Sequence, residues 1–197
     1  ASGALPNVLI ILDNTANWSR ADDGTTKFAF EKQALIQVLT QLKEEQDAGG
    51  AGFNVGLMMF SERGGGNSNP SGGYVRYAIK NDLQDLIDVV TALDEGADKG
   101  SEAEFAIAFH EAYLYFKGLD ARAGDKLKTD LDAFVGGTPP TYRSPIVDIC
   151  VSSYIIFISN GPPSQGENNT ASGLLDGLGG KLASDPIALS PSGRQAN

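Results

Sequence analysis

Two polar segments carry the side chains best suited to chemistry. Asp13-Asn14-Thr15-Ala16-Asn17 follows the apolar run 5–12, and Ser159-Asn160-Gly161 follows the apolar run 154–159. Carboxylate, hydroxyl and amide oxygens grouped in this way are hard ligands and suit Mg2+ or Ca2+. The same residue types also cap helices and close turns after strands by bonding to nearby backbone. In open α/β sheets, ligands bind beyond the carboxyl ends of the strands. If the two runs are neighbouring strands, Asp13, Thr15, Asn17 and Asn160 converge on one crevice. Both uses stay open at this level: a cation site, or a set of internal hydrogen bonds. Asp22-Asp23-Gly24 is open in the same way, as a solvated turn or as part of a Ca2+ site.

Other chemistries are narrowed by counting. The single cysteine, Cys150, excludes an internal disulfide framework and a cysteine-based zinc site. Its place just before an apolar strand predicts burial. The single histidine, His110, excludes paired-histidine metal motifs. It lies beside a helix stripe with no serine or cysteine partner and reads as a surface or interface residue. An apolar strand ending in Asp is also how haloacid-dehalogenase-type phosphatases begin, but Thr15 stands where their second Asp is needed. Gly180-Lys181 fails as a phosphate loop, because Leu175 precedes it where glycine is required and Leu182 follows the lysine. No catalytic constellation emerges, and an enzyme is not expected.

The 25 acidic and 15 basic residues give a formal charge of −10. Phosphate binding needs a basic face, so nucleic acid is not expected as a partner. No apolar run reaches the roughly 18 residues of a membrane span. With 24 Gly and 9 Pro in 197 residues, the chain reads as one loop-rich domain.

The elements follow from the patterning. Residues 5–12 and 154–159 are almost wholly apolar, as strands of a parallel sheet buried on both faces are. Leu35, Val38, Leu39 and Leu42 set the buried face of a helix over 28–46. Strands at 53–61 and 74–79 form an antiparallel pair around a glycine-rich loop at 64–73. Asn81 with Gln84 predicts a capping box for a helix through Leu93, with Leu83, Leu86, Ile87 and Val90 inward. Ser101 with Glu104 opens another in the same way, with a stripe of Phe105, Ala108, Phe109, Ala112, Tyr113 and Phe116. Residues 118–142 read as a short helix and then loop, 146–151 as a helical turn, and 172–178 as a short helix. The order β-α-β-β-α-α-β predicts an α/β layered sheet with helices on both faces.

With these residues in place, Pro6-Asn7-Val8-Leu9-Ile10-Ile11-Leu12-Asp13-Asn14-Thr15 resembles the opening strand of von Willebrand factor A (vWA) domains. More narrowly it is similar to the vWA region of PilY-type proteins of bacterial type IV pili. The segments 54–60, 110–118, 144–150 and 154–161 match in order, so the resemblance spans 5–165. It implies a Rossmann-like, six-stranded sheet with the first strand central and 154–159 beside it. It also implies a metal-ion-dependent adhesion site of the form Asp-x-Ser-x-Ser, completed by a loop Thr and a late Asp. Asp13 matches, Thr15 keeps a hydroxyl, Asn17 replaces the second Ser and Asn160 replaces the late Asp. For the loop Thr there is only Ser101 or the later Thr138. A Mg2+ or Ca2+ ion at this degenerate site would lack one carboxylate. The resemblance further implies a secreted, extracellular or cell-surface bacterial domain, non-catalytic, working in adhesion or pilus assembly.

The division expected from this is a core over 1–165 with inserted loops at 14–27, 61–74 and 118–145. A Gly/Ser/Pro-rich tail over 166–197 would be partly ordered or partner-bound. Only four strands are convincing, which leaves 154–159 as an apolar sheet edge that invites another strand. Tyr154, Ile156 and Ile158 are therefore expected to bind a partner, and so is Trp18, an aromatic in a polar loop. The partner would be a pilus or filament subunit, the remainder of the same protein, or a second copy. The alternative function is a structural subunit of an extracellular filament built by strand or tail exchange at this edge.

Overall fold

In the computed structural model, residues 4–60, 71–100, 104–162 and 168–180 are described. The central strand is β1 (Asn7–Leu12). Its alternate side chains enter two different cores: Leu9 and Ile11 on one face, Ile10 and Leu12 on the other. That double burial is why the segment carries no polar alternation.

After β1 come a 3-10 turn (Ala16–Ser19) and a two-residue ribbon of β2 (Ala21–Asp22) and β3 (Thr25–Thr26). Asp23 and Gly24 both have positive φ, so Asp22-Asp23-Gly24 is a tight hairpin turn. Helix α1 (Lys27–Asp47) begins where the Thr26 side chain accepts a hydrogen bond from the Ala29 N–H. Strand β4 (Asn54–Met59) runs parallel to β1, and β5 (Tyr74–Lys80) runs antiparallel to β4. The β4–β5 register shifts around Gly56, where a Cβ would lie 2.6 Å from the Ile79 side chain and 2.9 Å from its nitrogen. Glycine is required at that close approach.

Helix α2 (Leu83–Thr91) buries Leu83, Leu86, Ile87 and Val90 as expected. Its cap lies one residue later than the capping box implies. Asp82 accepts from the Asp85 N–H, while Asn81 accepts instead from the Gln46 side chain. Helix α3 (Phe105–Lys117) follows. A hairpin of β6 (Phe134–Gly137) and β7 (Pro140–Tyr142) comes next, then β8 (Ser153–Ile158) and α4 (Asn168–Gly177). The sheet order is β5-β4-β1-β8, with β8 parallel to β1. Helices α1 and α2 cover one face and α3 the other. The fold is thus a layered, Rossmann-like α/β sheet with β1 in the middle. Among the described residues no helix is long and apolar enough to cross a membrane.

Several expectations are corrected. Val38 is 59% exposed, because α1 turns only Leu35 and Leu39 fully inward. Phe109 and Tyr113 lie partly open, because α3 is rotated to bring Glu111, Leu114 and Tyr115 inward. Residues 118–142 form a 3-10 turn at Leu131–Ala133 and then the β6–β7 hairpin, with no α-helix. The segment 146–151 is a turn, and Cys150 is exposed on it, because the chain enters the sheet only at Ser153. Ser101, residues 64–70 of the glycine loop, and residues 163–167 and 181–197 of the tail lie outside the described residues.

Candidate functional site

The carboxyl ends of β1 and β8 lie side by side, since the Asp13 N–H donates to the Ile158 carbonyl at 2.9 Å. The β1–β8 ladder, which this bond extends, brings Asp13 and Asn160 together across 147 positions of sequence. Asp13 is wholly buried. Its Oδ1 accepts from the Thr15 N–H at 3.1 Å and the Thr15 hydroxyl at 2.6 Å. Its Oδ2 accepts from the Asn160 N–H at 3.2 Å. The Asn160 Nδ2 donates to the Asp13 main-chain oxygen at 2.7 Å. Ser159 stands 3.4 Å from Oδ2, but its one hydroxyl proton has a shorter acceptor in the Gly161 carbonyl at 2.6 Å. Asn17 packs against Gly161, where a Cβ would lie 2.3 Å from the Asn17 Nδ2. All four residues expected at the site therefore meet at one crest.

Two further parts of this crest escape sequence reasoning. Asn14 is buried and ties three segments together: its Nδ2 donates to the Asp98 carbonyl at 2.6 Å, its Oδ1 accepts from the Phe60 N–H at 2.9 Å, and its main-chain oxygen accepts from Gly100 at 2.7 Å. Lys27, at the start of α1, donates from Nζ to the Asn160 main-chain oxygen. Sequence reasoning assigns neither residue its role, because each partner is remote in sequence.

Trp18 is the main correction at the site. It is 0% exposed and belongs to the α1/α2 core, with its ring edge-on to Phe28 at 4.5 Å. Its indole N–H is satisfied by Glu31 Oε2 at 2.7 Å, so the ring can fold back under the polar loop without an orphaned donor. It is not available as an exposed partner anchor. Burial pushes the Glu31 carboxyl up to about 7; the Trp18 hydrogen bond opposes this, Asp13 adds to it and Lys27 counters it.

That shift gives a pH prediction. The folded chain holds the Glu31 proton to about 7, whereas an ordinary carboxyl releases it near 4.5. Stability from this group is therefore complete below about 4.5 and is lost as pH rises through about 7. The single Trp reports it directly. Trp18 emission should titrate with a midpoint near 7, and unfolding should be easier at pH 8 than at pH 5 through this group. Glu31→Gln should abolish the titration; an unchanged titration in that variant would refute the assignment.

Among the described residues the donor set does not fit a dication. One carboxylate among the described residues, Asp13, is in contact with the crest oxygens, and three protein donors already occupy it. Asn160 supplies a neutral amide, fixed by its bond to Asp13 with its Oδ1 buried and unbonded. The nearby cation Lys27 opposes a second positive charge. Among the described residues no three His, Cys, Asp or Glu side chains are grouped to hold a metal. No hydrogen bond joins His110 to a Ser or Cys among the described residues; burial and Arg122 lower its pKa.

Of the residues expected to bind a partner, Tyr154 and Ile156 are open on β8, at 53% and 51% exposure. Ile158 instead packs against the α1/α2 core. No family model matches this chain, and no curated protein is significantly similar to it.

Proposed function

We propose that this chain is a non-catalytic, extracytoplasmic bacterial domain of vWA type that acts in adhesion or pilus assembly. In this reading its protein-binding surface is the open edge of β8. The carrying observation is the state of that edge. In the β1–β8 ladder, Ser152 and Ile158 turn their carbonyls to β1. By the two-residue period, Tyr154 and Ile156 face β1 too, and the backbone groups of Ser153, Ile155 and Phe157 point away. No described element pairs with them. Such an edge with apolar side chains is a template for a further strand.

The layers beside the edge support the same reading. Lys27 touches the segment just after β8, and Ala34 and Val38 follow it about two and three turns on, along that flank of α1. On the other face Phe109 lies 5.3 Å from Phe157, ring centre to ring centre, and Tyr113 is one turn further along α3. Exposed apolar groups thus border the edge on both sides of the sheet, as in a core cut through. The vWA type, the pilus setting and the surface location rest on the sequence resemblance.

The test uses Ile155→Pro. The Ile155 N–H points away from β1, so proline there removes a donor from the open edge without removing one from the ladder. Purified chain is mixed with pilus fibres and sedimented, and in parallel examined alone by light scattering. Co-sedimentation that drops several-fold in Ile155→Pro, with thermal unfolding retained, supports adhesion through the edge. Self-association lost in the same variant supports the second reading, a filament subunit joined by strand or tail exchange, which the open ladder also favours. A monomer that ignores the fibres, or binding indifferent to Ile155→Pro, overturns the edge reading.

A further inference from the structure

We propose that Lys27 is the built-in cation of the crest, which closes around Asp13 without a divalent ion. The inference rests on the crest alone and not on the β8 edge, and it means that partner recognition does not pass through a metal here.

Three observations carry it. First, the ammonium is bonded to the residue that organises the site. Lys27 Nζ donates to the Asn160 carbonyl, while the N–H and the amide of Asn160 both bond to Asp13. Lysine, asparagine and aspartate are thus linked through one residue. Second, Lys27 stands at the first position of a 21-residue helix with no acidic residue in its first turn. A cation there opposes the helix dipole. Its position is therefore explained by its partner across the crest and not by the helix it begins. Third, a buried acceptor is left over on the same residue: Asn160 is 4% exposed and its Oδ1 has no hydrogen-bond donor. A positive charge at the main-chain oxygen of that residue offsets such an acceptor electrostatically. Among the described residues, a dication entering the same space would meet one carboxylate, already used, and a resident ammonium.

Two measurements test this. Thermal unfolding and Trp18 emission of the whole chain are recorded in chelator, then with excess Mg2+, Ca2+ or Mn2+. Superimposable curves support a crest that needs no metal. A saturable rise in Tm with any of the ions overturns it. Lys27→Met is then compared with Lys27→Arg. Loss of the ammonium should shift the unfolding equilibrium about tenfold or more toward the unfolded chain, the scale of a hydrogen bond to a charged group. It should also raise the midpoint of the Trp18 titration, because Lys27 holds the Glu31 carboxyl down. Lys27→Arg should keep that midpoint. A Lys27→Met chain that matches wild type in both readouts refutes the assignment. If Lys27→Met does not fold, Lys27→Arg decides: a wild-type midpoint supports it, and a midpoint raised despite the retained charge refutes it. Failure of the edge reading would show in sedimentation and leave these curves untouched.

Discussion

Glu111→Ala is expected to destabilise the domain by about 3–5 kcal/mol, the largest effect of any single substitution considered. Glu111 is 0% exposed on α3, yet it is not an orphaned charge. Its Oε1 accepts from the N–H groups of Arg122 and Gly124, both at 3.0 Å, and from the Tyr142 hydroxyl at 2.8 Å. Its Oε2 accepts from the Ala123 N–H at 2.9 Å. One carboxylate therefore fixes the chain leaving α3 and joins it to β7. Burial pushes this carboxyl up, and the four hydrogen bonds pull it back. Alanine would leave three amides and a phenol buried without an acceptor. Glu111→Gln should lose less, because one oxygen remains for the Oε1 side while its NH2 meets the Ala123 N–H. Space around the site is also committed: a Cβ at Gly124 would stand 1.7 Å from the Tyr142 oxygen. The change should appear in urea unfolding as a lower midpoint with unchanged slope. In thermal unfolding it should lower Tm by roughly 10 °C. A loss below about 1 kcal/mol would show that this segment finds other partners.

Asp13→Ala is expected to cost about 3 kcal/mol and to loosen the crest while the sheet survives. Asp13 satisfies the Thr15 N–H and hydroxyl and the Asn160 N–H, all buried. Removing the carboxylate strands those donors and unfastens Asn160, whose main-chain oxygen accepts from Lys27. Thr15→Ala should cost much less, because it removes one donor and leaves the acceptor well bonded. The contrast separates an organising role from a coordinating one. If Asp13 held a metal, its loss would mimic chelation; here chelation should do nothing, and Asp13→Ala should act alone. Amide exchange offers the site-specific readout, with protection of Thr15 and Asn160 lost in the variant while Leu9 and Ile11 keep theirs. Equal loss of protection along β1 would show that the crest and sheet unfold as one unit.

The parts legible in sequence are those whose signal is local. The apolar runs of β1 and β8 stand out because both faces of β1 are filled and no alternation dilutes it. The four inward positions of α2 follow from spacing alone. Asp13, Thr15, Asn17 and Asn160 meet as the strand ends require. The rest depends on partners far along the chain. Trp18 looks like an exposed aromatic until Glu31, thirteen residues on, supplies an acceptor for its indole. Glu111 looks like a solvent-facing residue of an amphipathic helix, because its four donors lie in a loop and a hairpin without periodic pattern. That hairpin is itself obscure, since β6 and β7 have four and three residues and two of them are glycines. Phe109 and Tyr113 fit the expected stripe of α3 by type, but the helix turns about its axis to satisfy Glu111.

The pairing of β1 with β8 also has a consequence in time. Asn7 is aligned with Ser153, 146 residues later, whereas β4 and β5 are close in sequence. Closing so long a stretch of chain is entropically unfavourable until local structure has shortened it, and non-local pairing of this kind slows folding. The β4–β5 pair and the helices can form early, and β1 can join β4, but one side of β1 stays unpaired until β8, 146 residues further along, has been made. Among the described strands of the sheet, the wholly apolar core of β1 is thus made before its partner and is among the last to be enclosed. At ordinary synthesis rates that interval is on the order of ten seconds, during which the nascent chain is most open to aggregation or to a chaperone.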